Sequence, residues 1–127
     1  GLPGNVTVHP PVFGERKAAV LGAAAVYAQP SRWEAFGRSL AEAAMAGTAL
    51  VVSAECDLAG QVTAAGGGLV VDFDCPDRTA AAIDALLAGG SDGRRAAMGQ
   101  AAATWAARNF APALVATRTI AAYRGLG

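Results

Sequence analysis

The sequence predicts an α/β fold built on a doubly wound parallel sheet. Short runs of Val and other apolar residues recur along the chain, and segments with helical spacing separate them. Each run is almost continuously apolar rather than alternating, which is typical of strands that helices cover on both faces. Strands that alternate with helices, joined by right-handed crossovers, favour a layered parallel sheet.

Four apolar runs are predicted to be strands. They comprise residues 6–8, 25–28, 49–52 and 69–71. Pro30 follows the second run closely. Because a residue before proline is held in extended geometry, this strand must end at Gln29 and release a loop at its carboxyl edge.

Six segments are predicted to be helices: residues 14–24, 37–46, 57–65, 76–87, 91–108 and 112–123. Apolar residues recur at helical spacing in three of them, namely Ala18, Leu21 and Ala25, then Leu40, Ala43 and Ala44, then Ile83, Leu86 and Leu87. Pro76 and Pro112 suit first helical positions, and Ser91 suits a cap. The last two helices make the C-terminal third helical.

Composition predicts a single domain over residues 1–127, because 127 residues that are 54% hydrophobic can bury one moderate core. Ten basic residues balance ten acidic ones, so no nucleic-acid partner is expected. Cys56 and Cys75 form no C-x-x-C pair and predict two reduced thiols rather than a zinc site or a disulfide. No apolar run reaches the roughly 18 residues that a spanning helix needs, and we predict a cytoplasmic location.

The stretch PSRWEAFGRSLAE, residues 30–42, predicts a ligand site. Ligands of open parallel sheets bind at the carboxyl edge, and a helix that begins near Gly37 offers unpaired amides and a positive dipole end to an anion. Gly37 lacks a β-carbon, which would let a ligand approach closely. Glu34 precedes this anion seat in the loop, and Glu42 is expected to point outward along the helix flank. Such an arrangement suits a diphosphate between two hydroxyl-bearing rings.

These residues also carry a family resemblance. PSRWEAFGRSLAEAAMAGTALVVS resembles the E-x7-E segment of retaining GT-B glycosyltransferases of family four, the group 1 glycosyl transferases, which usually read P-S-x-x-E-G-F-G-x-x-x-x-E-A-M-A-x-G-x-P-V-V. GGGLVVDFDCPDRTAAAIDALL and RRAAMGQAAATWAARNF are similar to the same family. The resemblance implies that residues 1–127 are a partial, nucleotide-sugar-binding C-terminal lobe, the Rossmann-like half of a GT-B fold truncated at its N-terminal side.

The resemblance implies a role for each site residue. Glu34 would contact the donor sugar as the candidate catalytic residue, and Glu42 would hydrogen-bond the nucleotide ribose. The remaining donor-binding candidates are Phe36, Gly37, Arg38 and Ser39 near the sugar and phosphates, and Val12, Phe13 and Gly14 near the base. The donor would be a nucleotide-diphosphate sugar, with no metal and no cofactor. The parent would be a hexosyltransferase, cytoplasmic or peripheral to the inner membrane.

The sequence departs from the family pattern in three respects. Ala35 replaces a glycine and Ala49 replaces a proline. The family's phosphate-neutralising Arg and Lys, and its acceptor-binding lobe, would belong to segments before Gly1. With the implied strand order 3-2-1-4-5-6, residues 6–8 would form the far edge strand, and the two strands next to it would be missing. We therefore predict self-association through exposed sheet edges, or poor folding, and an isolated fragment without activity.

Other interpretations remain open. The chain could be a non-catalytic binding or structural fragment, and both glutamates could be solvated carboxylates. The stretch LVVDFD, residues 69–74, resembles the D-x-D of haloacid-dehalogenase-like enzymes or of metal-dependent glycosyltransferases, although Asp72 and Asp74 are better explained as loop and cap residues. His9 is interpreted as structural or solvated. Trp33 suits the sugar pocket or packing, and Trp105 and Tyr123 suit core or interdomain packing.

Overall fold

The structure is a computed structural model that describes residues 1–88, 90 and 92–126. The described residues form six helices and three strands. In chain order they are α1 (Gly14–Ala23), β1 (Val26–Gln29), α2 (Arg38–Met45), β2 (Ala49–Ser53), α3 (Ala59–Ala64), β3 (Gly68–Val71), α4 (Pro76–Leu87), α5 (Asp92–Phe110) and α6 (Pro112–Gly125).

The described strands form one parallel sheet in the order β1-β2-β3. Val26 of β1 lies opposite Ala49 of β2, and Leu50 lies opposite Gly68 of β3. Every residue of β2 is buried, as its continuous apolar run predicts. The predicted α/β class with a parallel sheet is confirmed, and so is the helical C-terminal third.

Two hydrophobic clusters cover the two faces of this sheet. Leu50 and Val52 pack in a cluster with residues of α2, α3 and α5. Ala49 and Val51 alternate with them along β2 and pack with Leu86 of α4 and with Met98. Because side chains of a strand alternate between faces, one buried strand supports both clusters. The sheet is therefore doubly wound, with its carboxyl edge left to the loops.

The predicted strand at residues 6–8 is wrong. These residues are described and have no regular structure, and Val6 and Val8 are exposed. A strand forms only where a neighbour pairs with its backbone groups, and none of the described strands pairs with this segment. The predicted gap lay between residues 6–8 and the strand at 25–28, and it falls away with the strand at 6–8; β1, β2 and β3 are direct neighbours.

The predicted apolar faces of the helices are only partly buried. Leu40, Ala43 and Ala44 are buried on one face of α2, as predicted. Leu87 was expected to be buried but is 49% exposed, because α4 turns its Leu86 to the sheet instead. In the first helix only Leu21 of the predicted apolar face packs against the core, whereas Ala18 and Ala25 are exposed.

The remaining predictions concern the thiols, the C-terminal third and a cap. Cys56 and Cys75 are free thiols, as predicted. Trp105 is buried in the core, and Tyr123 on α6 is exposed. Ser91, the predicted cap, lies outside the described residues. In the part of the chain that the structure describes, no helix has the length and apolar character needed to cross a membrane.

Candidate functional site

The loop between β1 and α2 is held at the carboxyl edge of the sheet. β1 ends at Gln29, directly before Pro30, as predicted. The Ser53 hydroxyl at the end of β2 donates to the Ser31 carbonyl at 2.5 Å. The Asp57 amide donates to the Glu34 carbonyl at 3.1 Å, beside an isolated parallel bridge between Glu34 and Cys56. Two neighbouring strand ends therefore fix the position of this loop.

Glu34 closes a chain of hydrogen bonds at the start of α2. The Gly37 amide donates to Glu34 Oε1 at 3.1 Å, and the Gln29 side-chain amide donates to Glu34 Oε2 at 3.1 Å. The Tyr27 hydroxyl donates in turn to Gln29 Oε1 at 2.8 Å. A carboxylate at this position also complements the positive end of the helix dipole. Glu34 therefore contacts the residue that caps α2, directly ahead of the amides of the first turn.

Gly37 has a conformational role in the turn before α2. It caps α2 with a φ of +72°, a left-handed conformation that favours glycine. It is buried, and a β-carbon would lie 3.2 Å from Leu40 Cβ and 3.4 Å from Glu34 Cγ. The glycine is therefore explained by the turn and its packing. The amides of residues 38–40 form the first turn, where an α-helix provides no acceptor of its own.

Glu42 lies in a cleft between α1 and α2 rather than pointing outward. This α1–α2 cleft has a volume of about 380 Å³ and is lined by Gly14, Lys17, Ala18, Leu21, Glu42, Met45 and Ala46. Glu42 Oε2 forms an ion pair with Lys17 Nζ, and each side chain is 32% exposed. Lys17 Nζ also lies 3.5 Å from Ser39 Oγ. The helix flank that was expected to face solvent is covered because α1 packs along it.

Tyr27 connects the surroundings of the two glutamates. Its burial raises the pKa of the hydroxyl above the usual value, and the carboxylates of Glu34 and Glu42 add to the rise, while the Ser39 hydroxyl opposes it. The hydroxyl therefore stays protonated at neutral pH and can serve as the donor to Gln29. Both acidic side chains lie within its electrostatic reach.

The other predicted residues near the sugar and phosphates differ in exposure. Phe36 is partly exposed, and its ring makes an edge contact with Phe110 at 5.4 Å between centroids. Phe110 contacts Trp105 in the same manner at 5.1 Å. Arg38 is exposed on the first turn of α2, whereas Ser39 is half-buried beside Lys17. The aromatic contacts anchor the loop to α5.

The residues predicted to lie near the nucleotide base, Val12, Phe13 and Gly14, do not line one common cleft at the start of α1. Gly14 lines the α1–α2 cleft together with Glu42. Val12 lines a different cleft of about 260 Å³ with His9, and Phe13 is exposed. The structure thus brings Gly14 and Glu42 to one cleft, and Val12 and Phe13 lie outside it.

The acidic residues after β3 do not gather into a ligand set. Asp72 accepts a hydrogen bond from Arg78 at 2.9 Å at the surface, and Cys75 rather than Asp74 is the capping residue of α4. Within the described ranges no three His, Cys, Asp or Glu side chains converge as metal ligands. Neither D-x-D interpretation gains support from this arrangement.

The sequence model of the family described as "Glycosyl transferases group 1" matches residues 1–105. The chain belongs to the group 1 glycosyl transferases. The predicted family is thus confirmed, and the match includes both glutamates and all of α2. Among curated proteins, none matches this group 1 glycosyl transferase chain significantly.

A solved structure shares the fold of this group 1 glycosyl transferase. It is a sucrose-phosphate synthase from Thermosynechococcus elongatus, with a TM-score of 0.81 and 28% sequence identity. The match covers 88% of this chain and 28% of that one. The predicted Rossmann-like half of a GT-B fold is therefore confirmed, and the chain spans little more than a quarter of the length of this relative.

Sequence reasoning missed three residues of the candidate site of this group 1 glycosyl transferase. Tyr27 and Gln29 stand at the carboxyl end of a strand that was predicted correctly, so their position pointed to the site. Lys17 is the sole lysine of the chain and is not among the candidate residues of the sequence analysis. Its pairing with Glu42 depends on how α1 packs on α2, which no local pattern reports.

Proposed function

We propose that this chain forms the donor-binding part of a retaining glycosyltransferase that moves a hexose from a nucleotide diphosphate to an acceptor. Membership of the group 1 family supports glycosyl transfer. The observation that carries the donor assignment is the placement of Glu34 and Glu42 around the start of α2. Retention of configuration and the nucleotide-sugar donor are inferred from the family resemblance.

The proposed chemistry is mainly electrostatic. The diphosphate that leaves in the reaction gains negative charge, and the first-turn amides of α2 with the helix dipole would stabilise it. One preorganised donor of this kind typically contributes about 10²–10³ in rate. No metal or cofactor is assigned to this part of the reaction.

Glu34 would orient the donor sugar and support positive charge at its reacting carbon. Both of its oxygens already accept a hydrogen bond within the chain. Each carboxylate oxygen has two lone pairs, so a sugar hydroxyl can still donate to either of them. The internal hydrogen bonds would hold the carboxylate in place for the ligand, which is the preorganisation that a positioning role needs.

Glu42 would accept hydrogen bonds from the ribose hydroxyls in the α1–α2 cleft, with Gly14 on the side of the base. Its removal should weaken binding because the ribose hydroxyls would lose a charged acceptor. Isothermal titration calorimetry of the chain with uridine, guanosine and adenosine diphosphates tests this. We expect one of them to bind, and Glu42→Ala to weaken that binding by about tenfold or more.

The exposed Glu55 provides the control, since Glu55→Ala removes a carboxylate of the neighbouring loop and should leave the affinity unchanged. Absence of binding for all three nucleotides would contradict a donor site in this chain.

A second candidate is a non-catalytic binding or structural module. It is favoured by the internal contacts of both glutamates: Glu34 accepts hydrogen bonds from Gly37 and Gln29, and Glu42 forms an ion pair with Lys17. A glycosyltransfer assay of the isolated chain is expected to show no activity, because proximity to an acceptor lobe supplies a large share of the rate. Calorimetry separates a donor site from a purely structural module, since the latter binds no nucleotide.

A further inference from the structure

One ammonium group links the two helices that border the α1–α2 cleft. Lys17 of α1 pairs with Glu42 Oε2 and lies 3.5 Å from the Ser39 hydroxyl, so it contacts two turns of α2. Glu42 Oε2 is itself buried from solvent. A partly buried ion pair of this kind is screened less than one at the open surface.

The ion pair gives the two carboxylate oxygens of Glu42 different surroundings. Oε2 is engaged by Lys17, which leaves Oε1 as the oxygen that can accept hydrogen bonds from a ligand in the cleft. The ammonium also limits the rotation of the carboxylate, because turning it away would leave a buried charge without its partner. Lys17 therefore determines where Glu42 presents its free acceptor.

We infer that Lys17 is a positioning residue of the donor site, which holds the Glu42 carboxylate in the orientation that accepts the vicinal hydroxyls of a ribose. This inference rests on the proposed function, since it needs a nucleotide in the α1–α2 cleft. It adds to that proposal that Lys17 affects nucleotide binding through Glu42 and not by contact with the phosphates.

A double-mutant cycle tests this coupling. Titration calorimetry would compare the wild-type chain with Lys17→Met, Glu42→Gln and the double variant, using the nucleoside diphosphate that the wild type binds best. Lys17→Met is expected to weaken binding by about 10- to 100-fold, the range for loss of a hydrogen bond to a charged group. In the Glu42→Gln background the same change is expected to have little further effect, because the residue that Lys17 positions is already lost.

A second probe isolates the ribose. The 2′,3′-dideoxy form of the same diphosphate lacks both hydroxyls, so its affinity should change less than about twofold on Lys17→Met. Lys17→Arg keeps a cation beside Glu42 and should bind more tightly than Lys17→Met. Arg118→Met is the matched control, since it removes one positive charge from exposed α6 and should leave the affinity unchanged.

Three outcomes would overturn the inference. Unchanged affinity of Lys17→Met for the ribose form is one. The second is an equal loss of affinity for the ribose and dideoxy forms on Lys17→Met. The third is a full loss of affinity on Lys17→Met that persists in the Glu42→Gln background. Either of these two results would indicate that Lys17 contacts the phosphates directly. Failure of the wild-type chain to bind any nucleoside diphosphate would instead overturn the proposed function, and the inference with it. Thermal melting of each variant checks that the fold is retained.

Discussion

Glu34 has a structural task that is independent of any ligand. Its carboxylate accepts one hydrogen bond from the amide that starts α2 and another from Gln29 at the end of β1. Side-chain acceptors at helix starts typically contribute about 0.5–2 kcal/mol to stability. The candidate catalytic residue implied by the family resemblance is thus also the residue that joins β1 to α2.

Replacement of Glu34 should therefore reduce stability as well as any function. We expect Glu34→Ala to lower the free energy of unfolding by about 1–2 kcal/mol, because both hydrogen bonds are lost. Glu34→Gln keeps one carbonyl oxygen and should cost roughly half as much. Chemical denaturation monitored by circular dichroism measures the difference.

Glu55→Ala is the matched control for this measurement. Glu55 is an exposed carboxylate in the loop after β2, and its loss should change the stability by no more than about 0.5 kcal/mol. If Glu34→Ala were as mild as Glu55→Ala, the hydrogen bonds of Glu34 would contribute nothing to the fold.

At the scale of elements, the close approach of α5 to the turn after α2 fixes the packing of the helical layer. A β-carbon on Gly99 of α5 would overlap the carbonyl oxygen of Gly47 and lie 3.0 Å from its carbonyl carbon. Backbone atoms cannot yield to such an overlap without moving a whole helix. The absence of a side chain at residue 99 therefore allows α5 to lie against the end of α2.

Gly99→Ala should destabilise the chain even though alanine favours helices. We expect a loss of about 1–3 kcal/mol in the free energy of unfolding from overpacking, or more if α5 detaches. Gly93 is the matched control, because a β-carbon at this position of the same helix would meet no atom within 4 Å. Gly93→Ala should consequently leave the stability unchanged or raise it by up to about 1 kcal/mol. Equal melting temperatures for the two variants would contradict this packing.

The elements that the sequence predicts well are those whose own apolar pattern decides their burial. The pattern of β2 and the proline at the start of α4 both report local preferences, and both elements form where predicted. Residues 6–8 have the same strand-like composition, but their structure depends on a neighbour that no local pattern supplies. The candidate site divides in the same way: the motif in the sequence singles out Glu34 and Glu42 as candidates, whereas the Lys17 pair depends on helix packing.

At the scale of the whole molecule, much apolar surface stays uncovered. Within the part of the chain that the structure describes, no residue of α6 is buried, and its Ile120 and Tyr123 are exposed. Phe13 and Trp33 are also exposed, and β1 is an outer strand of the described sheet. Both features favour association. An exposed apolar patch is removed from water when two chains meet, and the unpaired backbone groups of an open strand edge can pair with another chain.

We therefore expect the chain to self-associate, with residues 6–8 of one copy lying against the β1 edge of another. Multi-angle light scattering should give a mass above 12.6 kDa that rises with concentration. Val8→Lys should reduce this mass, because a charge in the added segment opposes edge pairing. Ile120→Lys places the same charge on α6 and should have less effect. A constant monomer mass at every concentration would contradict the expectation, and a response to Ile120→Lys alone would assign the contact to α6 instead of the sheet edge.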